Sequence, residues 1–165
     1  GQLVRDGFPI LKVGPELTFV LREALYALDL IASDFVAGYG NRPLYAAMET
    51  LMLAAPSHWH KHYHGSEGER RWLRHYSLSD RIRYYWAHPA AIAAVENLTG
   101  ALWGQSVPEP LFWQHWPEAE AFAGKSLDPE ALLIWRVTQS LAAYHAAAFA
   151  APKTSPQSQA GGNRV

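Results

Sequence analysis

The sequence predicts a mainly helical chain entered through one buried β-strand, and three observations carry that expectation. Phe8-Pro9-Ile10-Leu11-Lys12-Val13-Gly14 is a short run, apolar on both faces, as a strand in a parallel sheet is. After it, apolar residues recur at three- and four-residue spacing, the period of an amphipathic helix. The breaks between these periodic stretches fall at Pro, Gly and capping residues, where helices start and stop.

Pro9 places itself at the start of the strand, and Gly14-Pro15 closes it. A long helix is predicted from about Pro15 to Phe35. Pro15 suits the first helical position and Glu16 the positive end of the helix. Leu17, Leu21, Ala24, Leu25, Leu28 and Ile31 form its stripe. Gly38-Tyr39-Gly40-Asn41 ends the unit, and Asn41 is expected to cap a helix from Pro43 to Ala54. That helix turns Leu44, Ala47, Met48, Leu51 and Met52 inward before Pro56 stops it. Glu67 to His75 predicts a short helix with a basic face. Ser77 or Ser79 is expected to cap another through Trp86, broken at His88-Pro89. Pro89 to Leu98 is amphipathic again, Leu111 to Trp116 is a short aromatic helix, and Asp128-Pro129-Glu130 starts a last helix ending near Phe149.

A lone strand makes no sheet, so its partners are expected outside this chain. The start, Gly1-Gln2-Leu3, has neither initiator Met nor a signal-peptide pattern, which also predicts a piece of something longer. A strand followed by helices is the close of a βα unit. The expected architecture is therefore the C-terminal part of a TIM-type (β/α)8 barrel with a helical extension. Residues 1–100 would be the late strand–helix unit and the helices after it, 101–150 the extension, and 151–165 a disordered Gly/Pro/Ser-rich tail.

Composition narrows the function classes. Hydrophobic residues make up 49% of 165, which is a folded rather than a disordered composition. A formal net charge of −1 argues against bulk electrostatic binding to nucleic acid or to a membrane surface. There are no cysteines, so disulfides and thiolate metal sites are excluded and a cytoplasmic location is permitted and expected. No stretch of about 20 residues is apolar enough to span a bilayer. The sequence contains no nucleophile elbow, P-loop or dinucleotide fingerprint.

Three constellations hold potential chemistry. Lys12-Val13-Gly14-Pro15 leaves a strand and enters a helix, the edge at which α/β folds bind ligands. Gly14 permits close backbone approach, and Lys12 adds charge beside a helix end that favours a phosphate. The plain alternative is a βα turn with Lys12 in solvent or in an ion pair. In Tyr76-Ser77-Leu78-Ser79-Asp80-Arg81-Ile82-Arg83-Tyr84-Tyr85-Trp86, the hydroxyl of Ser79, a cap at Asp80 and the guanidiniums of Arg81 and Arg83 would suit a phosphate or carboxylate. Asp80 and Arg83 can equally pair with each other three residues apart, and structure is the favoured reading. In His58-Trp59-His60-Lys61-His62-Tyr63-His64 the histidines alternate and would share one face if extended. Metal sets usually add carboxylates or fixed spacings, and Lys61 would repel a cation. No metal is expected in this chain, with His58, His60, His62 and His64 the one place to look for it. Glu67, Glu69, Arg70, Arg71 and Arg74 read as a solvated mixed-charge face.

These residues resemble a known family. Ile10 to Pro15, Leu17-Thr18-Phe19 and Leu21 to Leu25 look like the late strand–helix unit of the accessory subunits of class II D-tagatose-1,6-bisphosphate aldolases. So do the segment Trp59, Lys61, Tyr63, Gly65, the run Tyr76 to Trp86, and His88-Pro89. The match is good over Phe8 to Leu98 and loose over Ala101 to Phe149. It implies a TIM-barrel parent and a non-catalytic subunit in galactitol or N-acetylgalactosamine catabolism. That subunit would support a separate catalytic aldolase subunit, its partner, which holds the zinc. No cofactor is implied in this chain itself. Some relatives look like metal-dependent ketose or ketose-phosphate 4-epimerases, which is the alternative. No catalytic residue carries over; Lys12, Gly14, Ser79, Asp80, Arg81 and Arg83 are candidate substrate or phosphate contacts. Departures include the surplus of histidines, Ala87 where Pro is common, and a Trp-rich second half with Trp103, Trp113, Trp116 and Trp135.

Overall fold

A computed structural model describes residues 15–150, with the side chains of 147–150 left aside. The strand read over Phe8 to Gly14, with Lys12, and the tail 151–165 lie outside the described residues. Within them the chain is helical. The helices are α1 (Glu16–Phe35), α2 (Pro43–Ala54), α3 (Glu67–Tyr76), α4 (Pro89–Leu102), α5 (Glu109–His115) and α6 (Pro129–Ala150). Short 3₁₀ turns stand at Pro56–His58, Arg81–Tyr84 and Pro117–Phe122. Among the described residues no strand forms; Ser106 and Ser126 make an isolated antiparallel bridge.

α1 is the axis of the fold, with α2, α4, α5 and α6 all packing against it. Its stripe is the reason. Ala24, Leu25, Leu28, Ile31 and Ala32 are buried, and they meet Leu44, Met48 and Met52 of α2 and Leu98 and Leu102 of α4 in one core. Each large side chain fully removed from water contributes about 1.5–3 kcal/mol. The extension closes back on the axis. The Ser140 hydroxyl donates to Glu16 at 3.0 Å, and the Tyr144 hydroxyl donates to the same carboxylate. No helix among the described residues is long and apolar enough to cross a membrane.

The predicted helices α1, α2, α4 and α6 form close to their expected limits. Asp128 accepts from the Ala131 amide at 3.0 Å at the start of α6, the role a residue ahead of Pro-Glu is suited to. Three local expectations are corrected. Asn41 does not cap α2; the cap position is Arg42, in the left-handed region at φ 51° with no side-chain cap. Asp29 of α1, wholly buried, takes that place from across the core. Its carboxylate accepts from the Leu44 amide at 3.2 Å and the Tyr45 amide at 3.1 Å, and from the Tyr39 hydroxyl at 2.7 Å. Neither Ser77 nor Ser79 starts a helix through Trp86. The chain there makes only the 3₁₀ turn, because Asp80 is left-handed at φ 47° with its side chain drawn inward. Arg74 is not part of a solvated face: its side chain is fully buried.

Around Arg74 lies a connected polar network. Its guanidinium binds both oxygens of Glu49, at 2.9 and 2.6 Å, and Glu67 at 2.7 Å. His75 Nε2 meets Glu49 at 3.0 Å, and Nδ1 meets the Tyr26 hydroxyl at 2.6 Å. Burial pushes the His75 imidazole down to about 4, against the pull of Glu49. Burial works to raise Glu49, but the Arg74 hydrogen bonds and neighbouring positive charge hold it below the usual carboxylate range. A neutral ring beside an ionised carboxylate must donate to it. The network therefore assigns the proton to Nε2, with the Tyr26 hydroxyl donating to Nδ1.

Candidate functional site

Thr18 and Arg22, one turn apart on α1, both reach Asp80 from across the sequence. The Thr18 hydroxyl donates to one carboxylate oxygen at 2.6 Å and Arg22 Nε to the other at 2.8 Å. The Asp80 side chain is wholly buried and that of Arg22 is 3% exposed. The Asp80 carboxylate is thus engaged within the fold and does not pair with the Arg83 guanidinium. It fastens the Ser79 turn to the start of α1, directly after Pro15. The Thr18 hydroxyl oxygen also lies 2.9 Å from the Pro15 carbonyl. The Ser79 turn and the start of α1 at Pro15 are neighbours for this reason; Lys12 and Gly14 lie outside the described residues.

The histidine segment joins the same place. Trp59 is buried with its Nε1 donating to the Met52 carbonyl at 2.7 Å. Tyr63 is buried too, and its hydroxyl lies 3.0 Å from Ser79 Oγ and accepts from the Arg81 amide at 3.3 Å. Arg81 Nη1 donates to the His58 carbonyl at 3.1 Å. The His58 ring stacks on Tyr84 at 4.9 Å. The alternation Trp59, Tyr63 inward and His60, His62, His64 outward makes the histidines exposed polar flanks of two aromatic anchors. Among the described residues no three His, Cys, Asp or Glu gather as a metal set. Loss of hydration, then the nearby Arg81 charge, lower the pKa of His62.

The donors left in the turn are specific. The Ser79 and Asp80 amides are spent on Ser77, through its hydroxyl at 3.2 Å and carbonyl at 2.9 Å. An amide cradle for an anion therefore does not form. The Ser77 and Ser79 hydroxyls sit 3.0 Å apart at the surface. Arg83 Nη1 donates to the Ser79 and Asp80 carbonyls at 2.5 and 3.0 Å, and its ion lies over the Tyr84 ring at 4.3 Å. Neither Arg81 nor Arg83 meets a carboxylate among the described residues, so both keep their charge. Paired hydroxyls beside two unneutralised guanidiniums suit a phosphate or another oxyanion.

Comparison with known proteins decides the family. The family model described as D-tagatose-1,6-bisphosphate aldolase subunit GatZ/KbaZ-like matches residues 1–149. The chain belongs to the GatZ/KbaZ-like family. Among curated proteins, this GatZ/KbaZ-like chain is 57% identical over 145 residues to a protein named D-tagatose 6-phosphate 4-epimerase from Agrobacterium fabrum. That match covers 88% of the chain and 34% of the relative, so the chain spans about a third of its relative's length. Among solved structures, it is similar to a probable tagatose 6 phosphate kinase from Sinorhizobium meliloti 1021. The TM-score is 0.78 at 47% identity, covering 88% of this chain and 38% of the other.

The resemblance read from Tyr76 to Trp86 thus names the right family. Sequence reasoning missed Thr18 and Arg22 as the partners of Asp80. No local pattern links residues so far apart in the chain.

Proposed function

We propose that this chain is the C-terminal part of a ketose-phosphate 4-epimerase built on a TIM-type barrel and acting in the cytoplasm. The observation that carries the reading is the 57% identity, over nearly the whole chain, to a protein named D-tagatose 6-phosphate 4-epimerase. The geometry supports it in kind. Ser79, Arg81 and Arg83 flank Asp80, which is bonded to Thr18 in the first turn of α1, and a phosphate there would meet hydroxyls and guanidiniums. In this reading these residues hold the phosphate end of the sugar, Asp80 positions them, and the inversion at C4 is carried out elsewhere in the parent. Binding energy from a phosphate remote from the reacting carbon is spent on orienting it.

The test is an assay of the full-length protein with D-tagatose 6-phosphate and with fructose 6-phosphate, across several divalent cations. Interconversion of the two is the expected outcome; no conversion with any cation overturns the reading. Arg81→Gln is expected to raise KM about tenfold, the worth of one charge-assisted contact.

A second reading starts from the family description, which names an aldolase subunit: an accessory subunit for a class II aldolase whose catalytic subunit holds the zinc. Mixing the full-length protein with such an aldolase then raises its rate and its half-life on heating. An unchanged aldolase sinks this reading.

A further inference from the structure

We propose that the open face of α1 is a trough that seats the segment just ahead of it, Phe8 to Gly14, laid back antiparallel to the helix. That segment lies outside the described residues, and the inference rests on neither reading of the function. Two hollows join along this face. One is lined by Pro15, Phe19, Val20, Glu23 and Leu78. The other takes up Phe19 and Glu23 again and runs on to Tyr26, Leu30 and Tyr76.

Position, length, apolarity and charge point to this occupant. Phe19, Glu23 and Leu30 share one stripe of α1, and the helices packed on α1 leave it open: Phe19 and Leu30 are half-buried and Glu23 is exposed. Leu78 is 78% exposed and Tyr76 46%, so the trough has apolar walls without cover among the described residues. From Pro15 to Leu30 the helix rises about 22 Å at about 1.5 Å per residue. Seven extended residues span about 23 Å at about 3.3 Å each. The segment joins the trough's own wall at Pro15, so it reaches the groove without a linker, and Gly14 supplies the dihedral freedom for the reversal.

Phe8-Pro9-Ile10-Leu11-Lys12-Val13-Gly14 is apolar on both faces and needs cover on both; the trough covers one. Lys12 is its one charge. An antiparallel course carries Lys12 along the near half of the trough, which Glu16 and Glu23 border. The Glu23 carboxylate is held loosely, 3.7 Å from Arg136, and can accept a second cation. The remaining polar groups are engaged: Arg22 on Asp80 at 2.8 Å, His115 on Asp34 at 2.7 Å, and Arg42 over the Tyr45 ring at 4.2 Å. Lys12 then pairs with α1, the plain alternative to a ligand contact.

The test is disulfide trapping in the full-length protein, with the bonds located by peptide mapping. This chain has no cysteine, so a disulfide mapped within it joins only introduced residues. Phe8 through Val13 are replaced by cysteine one at a time, each with Leu78→Cys near the start of the trough or Leu30→Cys near its far end. L78C is expected to trap cysteine at Lys12 or Val13 at least about fivefold more than at Phe8 or Pro9, and L30C the reverse, since the bond needs Cα atoms within about 7 Å. Where L30C fails to fold, the L78C series decides alone. Three results overturn the proposal: no internal disulfide with either partner, equal yields along the segment, or the opposite order. A disulfide between the Leu78→Cys residues of two molecules, in place of the internal one, would also overturn it and give the trough to a second copy.

Discussion

Arg74 and Arg81 stand close in sequence, yet their surroundings differ in the one respect that matters for function. Arg74 is wholly buried and ringed by the carboxylates of Glu49 and Glu67. Arg81 is half-buried and meets a backbone carbonyl. A desolvated cation is tolerable only when paired and hydrogen-bonded, so the charge of Arg74 is consumed in holding α2 to α3. A cation satisfied by neutral oxygens remains attractive to an anion. The same contrast separates the two aspartates that leave their local roles: Asp29 caps a helix it does not belong to, and Asp80 pins a turn. Both are structural because both are buried with every oxygen engaged.

The comparison can be broken by substitution. Removing a buried partner should be the most damaging change. Arg74→Ala is expected to cost about 3–5 kcal/mol, read as a large drop in the denaturant midpoint; a loss below 1 kcal/mol would show that the network is not dry. Acidification probes the same network. The folded-state pKa of His75, about 4, lies below its unfolded value near 6.5. Between these values the unfolded chain binds the extra proton, so stability present above pH 6.5 is lost as pH falls toward 4. The loss is on the order of 3 kcal/mol. Glu49, also depressed, adds loss in the same direction at lower pH. The slope of Tm against pH over that window should flatten in His75→Gln, and an unchanged slope would refute the assignment.

Smaller effects follow. Asp29→Ala leaves two helix-end amides and a buried hydroxyl without an acceptor, and is expected to cost about 2 kcal/mol. Faster hydrogen exchange of the Leu44 and Tyr45 amides would localise the damage to the start of α2. At Gly65, with φ 112° and the Glu69 carboxylate 2.6 Å from an added Cβ, alanine should cost about 1 kcal/mol. The smallest change is expected at the turn. Arg81→Gln should alter stability by less than about 1 kcal/mol, while the KM effect proposed above persists. A stability loss as large as that of R74A would move Arg81 into the structural class.

The sequence by itself determined the helices, because their signals are local. Periodic apolar residues give α1, α2, α4 and α6, and Pro, Gly and Asp at the boundaries give their ends. It also determined the family, since an eleven-residue run from Tyr76 to Trp86 is a specific match. Only the tertiary structure decided what the charged residues do. Asp80 reads locally as a cap, and Arg74 as a solvated helix face. Each is turned inward by a partner far away in the chain, Arg22 for one and Glu49 for the other. Periodicity reports which side of a helix is apolar, whereas ion pairing depends on which helices meet. The tertiary fold likewise brought Tyr63, Ser79 and Thr18 around one turn.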